Sequence, residues 1–469
     1  MSVRMLGWVV EALEDIGGLV IRSSPASRGK EMWFGATVDT RKECSGRIFF
    51  AFKGENTNGH RFAGEAISRG CVAAVVEDEE TARWIEQTGA ASILVKDTLQ
   101  ALQELARAYR NTLDVTVVAI TGSSGKTTTK EFTRSILKRK YRVHGSPDSF
   151  NSRIGVPLTI LETGEENEYL VLEVGANQKG EIDFLAALLK PDISVITNIG
   201  EAHIGFFGSP EGVASAKAEL LDHMGTNGYV LLPGDDDFLP LLKSRSKCRY
   251  FTFGFSESCN YRITDVKGGT ERTEFCFNGE PMAVRMTGKH NLKNAAAALA
   301  VGDLCGVEIK LSREGLLESE PLFGRGKVRR ESGVTVIDDS YNANPSSMRA
   351  SLDTLMEFDA KRRIAVLGEM KELGDYTQSC HSDLGAYLAT IALDRIFWIG
   401  ESSGDVTEAY QLKGGKASLS VFVDLKELVQ TLKRELRPGD AVLVKGSRAC
   451  GLERVVDGLL AATKMGEES

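Results

Sequence analysis

A lysine and a threonine stand directly behind a glycine-containing turn in the stretch AITGSSGKTTTKEF, Ala119 to Phe132. The apolar run VTVVAI precedes the turn and a helical pattern follows it, which is the strand–turn–helix context of a phosphate loop. In such a loop, backbone N–H groups and the positive end of the helix hold phosphate oxygens. The lysine reaches the β- and γ-phosphates, and the hydroxyl ligates Mg²⁺. We therefore predict a nucleotide-phosphate site formed by Gly122, Ser123, Ser124, Gly125, Lys126, Thr127 and Thr128.

The loop is shorter than the common form G-x-x-x-x-G-K-[ST]. Counting back from Gly125 places Ile120 where the outer glycine of that form stands. The shorter loop argues against the G-protein and motor-ATPase subfamilies. The alternative interpretation is a tight strand-to-helix turn with a solvated lysine. It accounts less well for two glycines, two serines and a Lys-Thr pair occurring together.

Residues able to bind a metal follow two further predicted strands. Glu173 lies at the carboxyl end of the pattern YLVLEVGA, and His203 lies in NIGEAHIGFFGS, after the pattern DISVITNIG. Open α/β sheets place ligands at the carboxyl ends of their strands, so we expect both residues to ligate Mg²⁺. Taken singly, each has a plain alternative, a solvated carboxylate in a loop or a hydrogen-bonded histidine. Lys217, in VASAKAEL, is by its pattern alone a solvated lysine on an alanine-rich helix.

Four further polar residues have types suited to a nucleotide. Asn291 and Asn294 in GKHNLKNAAAA lie three residues apart near a helix start, so both face one side of the helix. Asn291 is also a common type of helix cap, whereas the Asn294 amide has the donor and the acceptor that an adenine edge requires. Arg325 in GRGKVRR suits phosphate, and Asp339 in VIDDSYNANP suits ribose hydroxyls. For the last two residues, ordinary turn and surface contacts are an equal alternative.

The elements that position these residues are typical of an α/β protein with three domains. At 469 residues, a prior of about 150 residues per domain suggests three. Strand and helix patterns alternate, which predicts mostly parallel sheets covered on both faces. We expect a first domain at 1–113, a central phosphate-loop domain at 114–320 with an antiparallel edge between Arg249 and Met286, and a Rossmann-like domain at 321–469. Strands of the last domain are expected in GVTVIDDSY, RRIAVLGEM, DRIFWIGE and DAVLVKGS.

Composition argues against several other classes. The net charge of -8 gives no reason to expect nucleic acid or an anionic membrane as a partner. The eight cysteines are scattered without a C-x-x-C pair, which disfavours a zinc site or a disulfide framework and fits a reducing cytoplasm. No window offers the roughly 18 uninterrupted apolar residues of a membrane helix, and MLGWVV is too short for a signal peptide. We therefore predict a soluble cytoplasmic protein with a frayed KMGEES tail.

Several segments follow one another in a distinctive order: TGSSGKTTT, LEVGAN, NIGEAHIGFFGS, AKAEL, GKHNLKNAAAA, FGRGKV, IDDSYNANPSSM and VLVKGSRACGLE. In this order they resemble the Mur ligases, and IDDSYNANP and KGSRACGLERV favour the F-type branch. TVDTRKECSGRIFFAFKGENTNGH is similar to the uridine-nucleotide domain of that family. The resemblance covers nearly the whole chain. It implies an N-terminal domain that binds a UDP-sugar peptide, a central ATPase domain, and a C-terminal Rossmann-like domain that closes over the nucleotide and binds the incoming dipeptide.

The resemblance also implies catalytic and metal-binding roles. Lys126 and Thr127 would hold phosphate and metal, and Glu173 and His203 would ligate Mg²⁺. Lys217 falls at the lysine that carries a carbamate in these enzymes. A carbamate turns a cation into an anion that helps to hold a second Mg²⁺, which reverses the interpretation of Lys217 as a solvated lysine. Lys126, His203 and Lys217 are the residues that we expect to serve in catalysis.

Substrate contacts follow from the same resemblance. Asn294 would meet the adenine of ATP, Asp339 its ribose and Arg325 its phosphates. The residues that fall in the segments binding the UDP substrate are Thr40, Arg41, Lys53, Gly54, Asn58, His60 and Asn151.

The reaction that the resemblance implies is an ATP-dependent ligation in peptidoglycan precursor synthesis, and hence in cell-wall formation. ATP would phosphorylate the terminal carboxylate of UDP-N-acetylmuramoyl-tripeptide, and the amine of D-alanyl-D-alanine would attack the acyl phosphate. Other Mur-type amino-acid ligases and ligases similar to folylpolyglutamate synthase remain alternatives. A phosphate-loop switch or transport ATPase is the alternative from a different class. We expect a monomer with ATP and Mg²⁺ as required partners.

Overall fold

A computed structural model describes residues 4–17, 19–54, 57–147, 149–269 and 272–461. The KMGEES tail, for which fraying was predicted, lies outside the described residues. Strands and α-helices alternate along most of the described chain, as the sequence predicts for an α/β protein.

The strands are numbered in chain order. They are β1 (Val20–Ser23), β2 (Ala36–Thr37), β3 (Ile48–Phe50), β4 (Ala73–Val76), β5 (Ala91–Val95), β6 (Thr116–Thr121), β7 (Val143–Gly145), β8 (Tyr169–Glu173), β9 (Ile193–Ile196), β10 (Tyr229–Pro233), β11 (Arg249–Gly254), β12 (Tyr261–Lys267), β13 (Thr273–Phe277), β14 (Glu280–Val284), β15 (Lys327–Glu331), β16 (Val334–Asp338), β17 (Arg362–Gly368), β18 (Arg395–Ile399), β19 (Ser418–Phe422) and β20 (Asp440–Lys445).

The α-helices are numbered in the same way. They are α1 (Leu6–Glu14), α2 (Ala63–Ser68), α3 (Glu79–Gln87), α4 (Thr98–Arg110), α5 (Lys126–Leu137), α6 (Gly155–Glu162), α7 (Glu181–Leu189), α8 (Ile204–Phe207), α9 (Pro210–Ala218), α10 (Leu239–Arg245), α11 (Lys289–Leu304), α12 (Ile309–Glu318), α13 (Pro345–Met356), α14 (Thr377–Leu388), α15 (Ser403–Leu412), α16 (Leu425–Glu435) and α17 (Glu453–Ala461).

The chain divides into two compact units. Unit 1 consists of Met1–Ala119, Tyr141–Ala176 and Asp183–Asp192, and unit 2 of Ile120–Lys140, Asn177–Ile182 and Ile193–Ser469. In unit 1, the described residues form a sheet in the order β1-β5-β4-β3-β2, parallel except for the antiparallel pair β1–β5. Unit 1 also holds the parallel pair β7–β8. All four residues of β4 are buried, which is typical of a parallel strand covered on both faces.

Unit 2 contains a series of strands that begins with a parallel arrangement. β9, β10, β11 and β12 are parallel neighbours, and β12, β13 and β14 follow in antiparallel order. The antiparallel edge predicted between Arg249 and Met286 is therefore correct from β12 onward and wrong for β11. Helix α10 connects β10 to β11, and a helical crossover of this kind joins parallel strands.

The last sheet, also in unit 2, has the order β15-β16-β20-β17-β18-β19 and is parallel except for the antiparallel edge strand β15. Alternate residues of its strands face opposite sides, as strand geometry requires. Ile337, Leu367 and Trp398 belong to the core on one face, whereas Val336 and Val366 belong to the core on the other. The sheet is therefore covered on both faces. Open α/β sheets bind ligands at the edge formed by the carboxyl ends of their strands, which here is the edge where β16, β20 and β17 end side by side.

Candidate active site

The turn between β6 and α5 has a backbone that only glycine adopts readily. Gly122 has φ +149° and Gly125 has φ +77°. A Cβ atom on Gly122 would lie 1.9 Å from the Thr197 hydroxyl oxygen, and one on Gly125 would lie 2.2 Å from the Asn294 side-chain oxygen. Both glycines are thus required by backbone conformation and by close neighbours.

The two serines of the turn are bonded to the loop that follows β9. The Ser123 hydroxyl donates to the Gly200 carbonyl oxygen over 2.9 Å and accepts from the Gly200 N–H over 2.8 Å. The Asn198 side chain accepts from the Ser124 N–H and donates to the Ser124 hydroxyl, both over 2.9 Å. These bonds fix the shape of the turn, and phosphate binding by Ser123 and Ser124 stays a prediction.

Helix α5 begins with the lysine and threonines of the loop. The Lys126 ammonium donates to the Gly122 carbonyl oxygen over 2.9 Å, so the side chain folds back over the turn. Thr127 is 2% exposed, and Thr128 is half-buried. This places a cation and a hydroxyl at the N-terminus of a twelve-residue helix, where the helix dipole favours anions.

Asn294 packs beneath this helix start. Its side-chain oxygen accepts from the Thr129 hydroxyl over 3.3 Å, and its amide donates to the Asn291 side-chain oxygen over 3.3 Å. The two asparagines therefore share one face of α11, as their spacing predicts. Asn294 is buried against Gly125, so its observed contacts support the phosphate loop, and its role toward adenine stays a prediction.

Glu173 ends β8 in unit 1 and is held by a neighbour from the same unit. It is 2% exposed, which shows that the interpretation as a solvated loop carboxylate is wrong. The Asn151 amide donates to one Glu173 carboxylate oxygen over 2.6 Å. The Asn151 carbonyl accepts from the Gly175 N–H over 2.9 Å, and a Cβ on Gly175 would lie 2.8 Å from the Asn151 side-chain carbon. Asn151 thus orients Glu173, and its predicted contact with the UDP substrate stays a prediction.

His203 precedes α8 with a left-handed backbone, φ +60°. Its Nδ1 lies 2.7 Å from a carboxylate oxygen of Glu372, which follows β17 in the last sheet. The His203 ring beside it holds the pKa of the Glu372 carboxyl below its ordinary value. His203 is therefore oriented by a carboxylate, an arrangement that is common for metal-binding histidines.

Lys217 on α9 is not a solvated lysine. It is 1% exposed, and its ammonium lies 5.7 Å from the centre of the Phe207 ring. The alanine-rich pattern alone predicts a solvated Lys217. That prediction is wrong because the face of α9 that carries this lysine is turned inward. Whether this lysine carries a carbamate stays a prediction.

The predicted nucleotide residues of the last domain lie beside the end of β16. The Asp339 carboxylate accepts from the buried Lys445 ammonium over 2.6 Å and from the Ser351 hydroxyl over 2.5 Å. The Arg325 guanidinium carbon lies 3.9 Å from the centre of the Tyr341 ring. Asp339 therefore comes directly after β16 within a polar network, at the edge where open α/β sheets bind ligands.

The predicted UDP residues of unit 1 fall into two groups. In the first, the Asn58 side-chain oxygen accepts from the His60 N–H over 3.1 Å, and the Lys53 ammonium lies 3.4 Å from the Glu77 carboxylate. The His60 Nε2 accepts from the Glu77 N–H over 2.8 Å, and burial lowers the pKa of His60. Gly54 adjoins this group through the hydrogen bond from its N–H to the Thr57 carbonyl oxygen, 2.9 Å long.

The second group follows β2. Arg41 is exposed, and its hydrogen bond to Asp39 lowers the pKa of that carboxyl to about 2, while Thr40 is buried. Within the described parts of the chain, no hydrogen bond or ion pair joins this turn to Lys53 or His60. Beside His60 lies an open cavity of about 770 Å³, lined by His60, Arg61, Gly64, Glu79, Glu80, Thr81, Arg83, Trp84 and Gln87.

The described residues contain no group of three or more His, Cys, Asp or Glu side chains arranged to hold a metal ion. They also contain no helix that is long and apolar enough to cross a membrane.

Family comparison agrees with this arrangement of loops along the chain. The Mur ligase middle domain matches residues 120–302, and the glutamate ligase domain of Mur ligases matches residues 324–448. The catalytic domain of the Mur ligase family matches residues 35–110. The chain belongs to the Mur ligase family.

Individual Mur ligases are similar over nearly the full length. The UDP-N-acetylmuramoyl-tripeptide–D-alanyl-D-alanine ligase of Bacillus subtilis is 38% identical over 91% of this chain and 93% of its own. A crystal structure of MurF from Acinetobacter baumannii superposes with a TM-score of 0.84 at 31% identity, covering 97% of this chain and 98% of that chain. The MurF ligase of Thermotoga maritima in complex with ADP gives a TM-score of 0.79 at 31% identity, with 92% and 98% covered.

Sequence reasoning overlooked several residues that the Mur ligase fold brings to these loops. Asn198 braces the phosphate loop, and the Asn344 amide donates to the Ser123 carbonyl oxygen over 3.3 Å. Glu372 orients His203, and Arg448 joins Arg325 on the Tyr341 ring. Asn198, Asn344 and Arg448 lie in segments that carry the family resemblance, but nothing in their spacing indicates which partner each one meets.

Proposed function

We propose that this chain joins D-alanyl-D-alanine to UDP-N-acetylmuramoyl-tripeptide in an ATP-dependent reaction of cytoplasmic peptidoglycan precursor synthesis. The observation that carries the proposal is its similarity, over 91% of its length, to a relative that bears the name of this ligase. The matched Mur ligase segments include the phosphate loop and the edge of the last sheet, so the proposal concerns the whole chain rather than one domain.

The phosphate loop supplies the electrostatic part of the reaction. ATP phosphorylates the terminal carboxylate of the tripeptide, and the dipeptide amine attacks the acyl phosphate to release inorganic phosphate. Phosphoryl transfer requires mainly positioning and neutralisation of charge. Lys126 and the N-terminus of α5 offer both to the ATP phosphates, and Asn294, Arg325 and Asp339 would hold the rest of the nucleotide.

The residues proposed as Mg²⁺ ligands have suitable donor chemistry. They are Thr127, Glu173, His203 and Lys217 as a carbamate. Glu173 fits because it is a buried carboxylate, and a buried negative charge is stable only with a cation or donors around it. Asn151 occupies one of its oxygens. When bound, Mg²⁺ would neutralise charge on the transferring phosphoryl group.

We further propose the division into domains at 1–113, 114–320 and 321–469, with the UDP substrate bound by the first. Each of the three matched family segments lies inside one of these ranges. The cavity beside His60 supports a substrate site in the first domain, together with Thr40, Arg41, Lys53, Gly54 and Asn58.

The test is phosphate release by the purified chain with ATP, UDP-N-acetylmuramoyl-tripeptide and one acceptor at a time. We expect release that depends on D-alanyl-D-alanine and is absent with single amino acids, and a Lys126→Ala variant should lose turnover. Release that responds equally to a single amino acid would favour another Mur-type ligase. Release with folate and glutamate would favour the folylpolyglutamate synthase alternative, and either result would contradict the proposal.

A further inference from the structure

Two loops at the carboxyl edge of the last sheet are bonded to each other. The Ser447 N–H, after β20, donates to the Glu369 carbonyl oxygen over 3.0 Å. The Ser447 hydroxyl accepts from the Lys371 N–H over 2.8 Å. These hydrogen bonds hold the backbone of the loop KGSRACG at the end of β20. They therefore also hold the backbone of Arg448, the residue that follows Ser447.

Arg448 shares an aromatic ring with Arg325. The guanidinium carbons lie 5.2 Å and 3.9 Å from the centre of the Tyr341 ring, within the range of cation–π attraction. Among the described residues, neither guanidinium forms an ion pair or a hydrogen bond with an acidic side chain. The ring therefore orients both cations without neutralising them.

Other arginines of the same domain are used differently. Arg362 lies 2.6 Å from the buried carboxylate of Asp440, and Arg395 lies 2.9 Å from Glu435. Those pairs join elements of the sheet and its helices. Arg448 is exposed at the edge where β16, β20 and β17 end. Unlike the two ion pairs, its contact with Tyr341 does not join elements of the sheet and its helices. A guanidinium fork held in this way suits a carboxylate or a phosphate, which it binds through two parallel hydrogen bonds.

We propose that Arg448 binds the terminal carboxylate of the incoming D-alanyl-D-alanine. This inference rests on the proposed function and names the residue that recognises its acceptor. Arg325, on the same ring, is the proposed phosphate contact, so the acyl phosphate forms on its side. An extended dipeptide spans about 7 Å. Both guanidinium carbons lie within 5.2 Å of the centre of one tyrosine ring, so they are close enough for one dipeptide to reach from the Arg325 side to Arg448. The dipeptide amine then points toward the acyl phosphate while its carboxylate meets Arg448.

The experiment compares two acceptors in the phosphate-release assay, D-alanyl-D-alanine and its C-terminal carboxamide. The enzymes are the wild type, Arg448→Gln, Arg448→Lys and the control Arg434→Gln. Arg434 is an exposed arginine on α16 whose contacts are to Gln430 and Thr431 of its own helix. We expect Arg448→Gln to raise KM for D-alanyl-D-alanine by about ten- to a hundredfold, since a charged hydrogen-bonded pair is lost.

The carboxamide makes the result specific. Arg448→Gln should handle the carboxamide as well as the wild type does, so the preference for a free carboxylate disappears. Arg448→Lys should keep part of that preference, and Arg434→Gln all of it, with unchanged melting temperatures throughout. A variant Arg448→Gln that keeps the wild-type preference overturns the inference. So does a rise in KM for ATP with KM for the dipeptide unchanged, which assigns Arg448 to the nucleotide phosphates. Wild-type release that ignores both acceptors overturns the proposed function and this inference with it.

Discussion

Among single residues, Gly125 is the one whose replacement most directly tests the phosphate loop. Its φ is +77°, and a Cβ would lie 2.2 Å from the Asn294 side-chain oxygen. We expect Gly125→Ala to displace the start of α5 and to lower the rate of phosphate release by about a hundredfold, because a shift of about 1 Å costs that much in a positioned reaction.

The control for this prediction is Gly414→Ala. Gly414 has a similar φ of +73°, but no atom of the described residues lies within 4 Å of the position that an added methyl group would take. The alanine there should cost only the strain of a left-handed backbone, about 1–2 kcal/mol in the free energy of unfolding, and leave phosphate release unchanged. Equal activities of the two variants would show that the contact with Asn294 does not determine the position of the phosphate loop.

Site features formed by residues that are adjacent in the sequence can be predicted from their pattern. Contacts between residues that are distant in the sequence cannot. Gly125 and Lys126 are adjacent in a strand–turn–helix pattern, so their types and spacing reveal the phosphate loop. The burial of Lys217 depends on how α9 packs, which its alanine-rich pattern does not specify. The bond between Glu173 and Asn151 joins residues far apart in sequence and is visible only in the fold.

In the last sheet, the inner strands can be predicted from the sequence, whereas the edge strands cannot. The strands predicted from GVTVIDDSY, RRIAVLGEM, DRIFWIGE and DAVLVKGS are β16, β17, β18 and β20, which are the inner strands of the last sheet. The two edge strands, β15 and β19, were not predicted. β15 reads KVRRE and β19 reads SLSVF with only partial burial, since an edge strand needs no continuous apolar run.

Helix α14 is joined to the loop after β17 by a buried histidine that should make stability depend on pH. His381 donates from Nδ1 to the Thr377 carbonyl oxygen over 2.7 Å and accepts at Nε2 from the Met370 N–H over 3.1 Å. Burial lowers the pKa of His381 below the ordinary value of about 6.5. The unfolded chain therefore binds a proton that the folded chain excludes, and the stabilisation is complete above about pH 6.5 and lost as the pH falls below it.

We expect the free energy of unfolding to fall more steeply between about pH 7 and pH 5.5 in the wild type than in His381→Gln, because glutamine can accept from Met370 without titrating. Denaturant titrations across this range measure the difference in slope. The control is Gln378→Ala, which replaces an exposed residue of the same helix that has no titratable side chain and should leave the slope of the wild type unchanged. Identical slopes for the wild type and His381→Gln would contradict the prediction.

At the scale of the whole molecule, unit 2 brings the last sheet against loops of the central Mur ligase segment. The Tyr376 hydroxyl donates to the Gly208 carbonyl oxygen over 2.8 Å, and the Gly205 N–H donates to the Glu372 carbonyl oxygen over 3.2 Å. Gly205 and Gly374 approach so closely that a Cβ on Gly205 would lie 2.5 Å from the Gly374 nitrogen. The atoms that it would meet belong to the backbone, so no side-chain rotation relieves the overlap.

Gly205→Ala should therefore separate these two loops and with them His203 from Glu372. We expect phosphate release to fall by about a hundredfold and small-angle scattering to give a larger radius of gyration than for the wild type. Gly225→Ala is the control in the same family segment, because Gly225 does not have a positive φ and no neighbouring residue in the described part of the chain comes within 4 Å of its added methyl group. If Gly205→Ala kept both the wild-type rate and the wild-type radius of gyration, the contact between the loops would not be needed for the reaction, and the catalytic geometry would have to arise within the central segment alone.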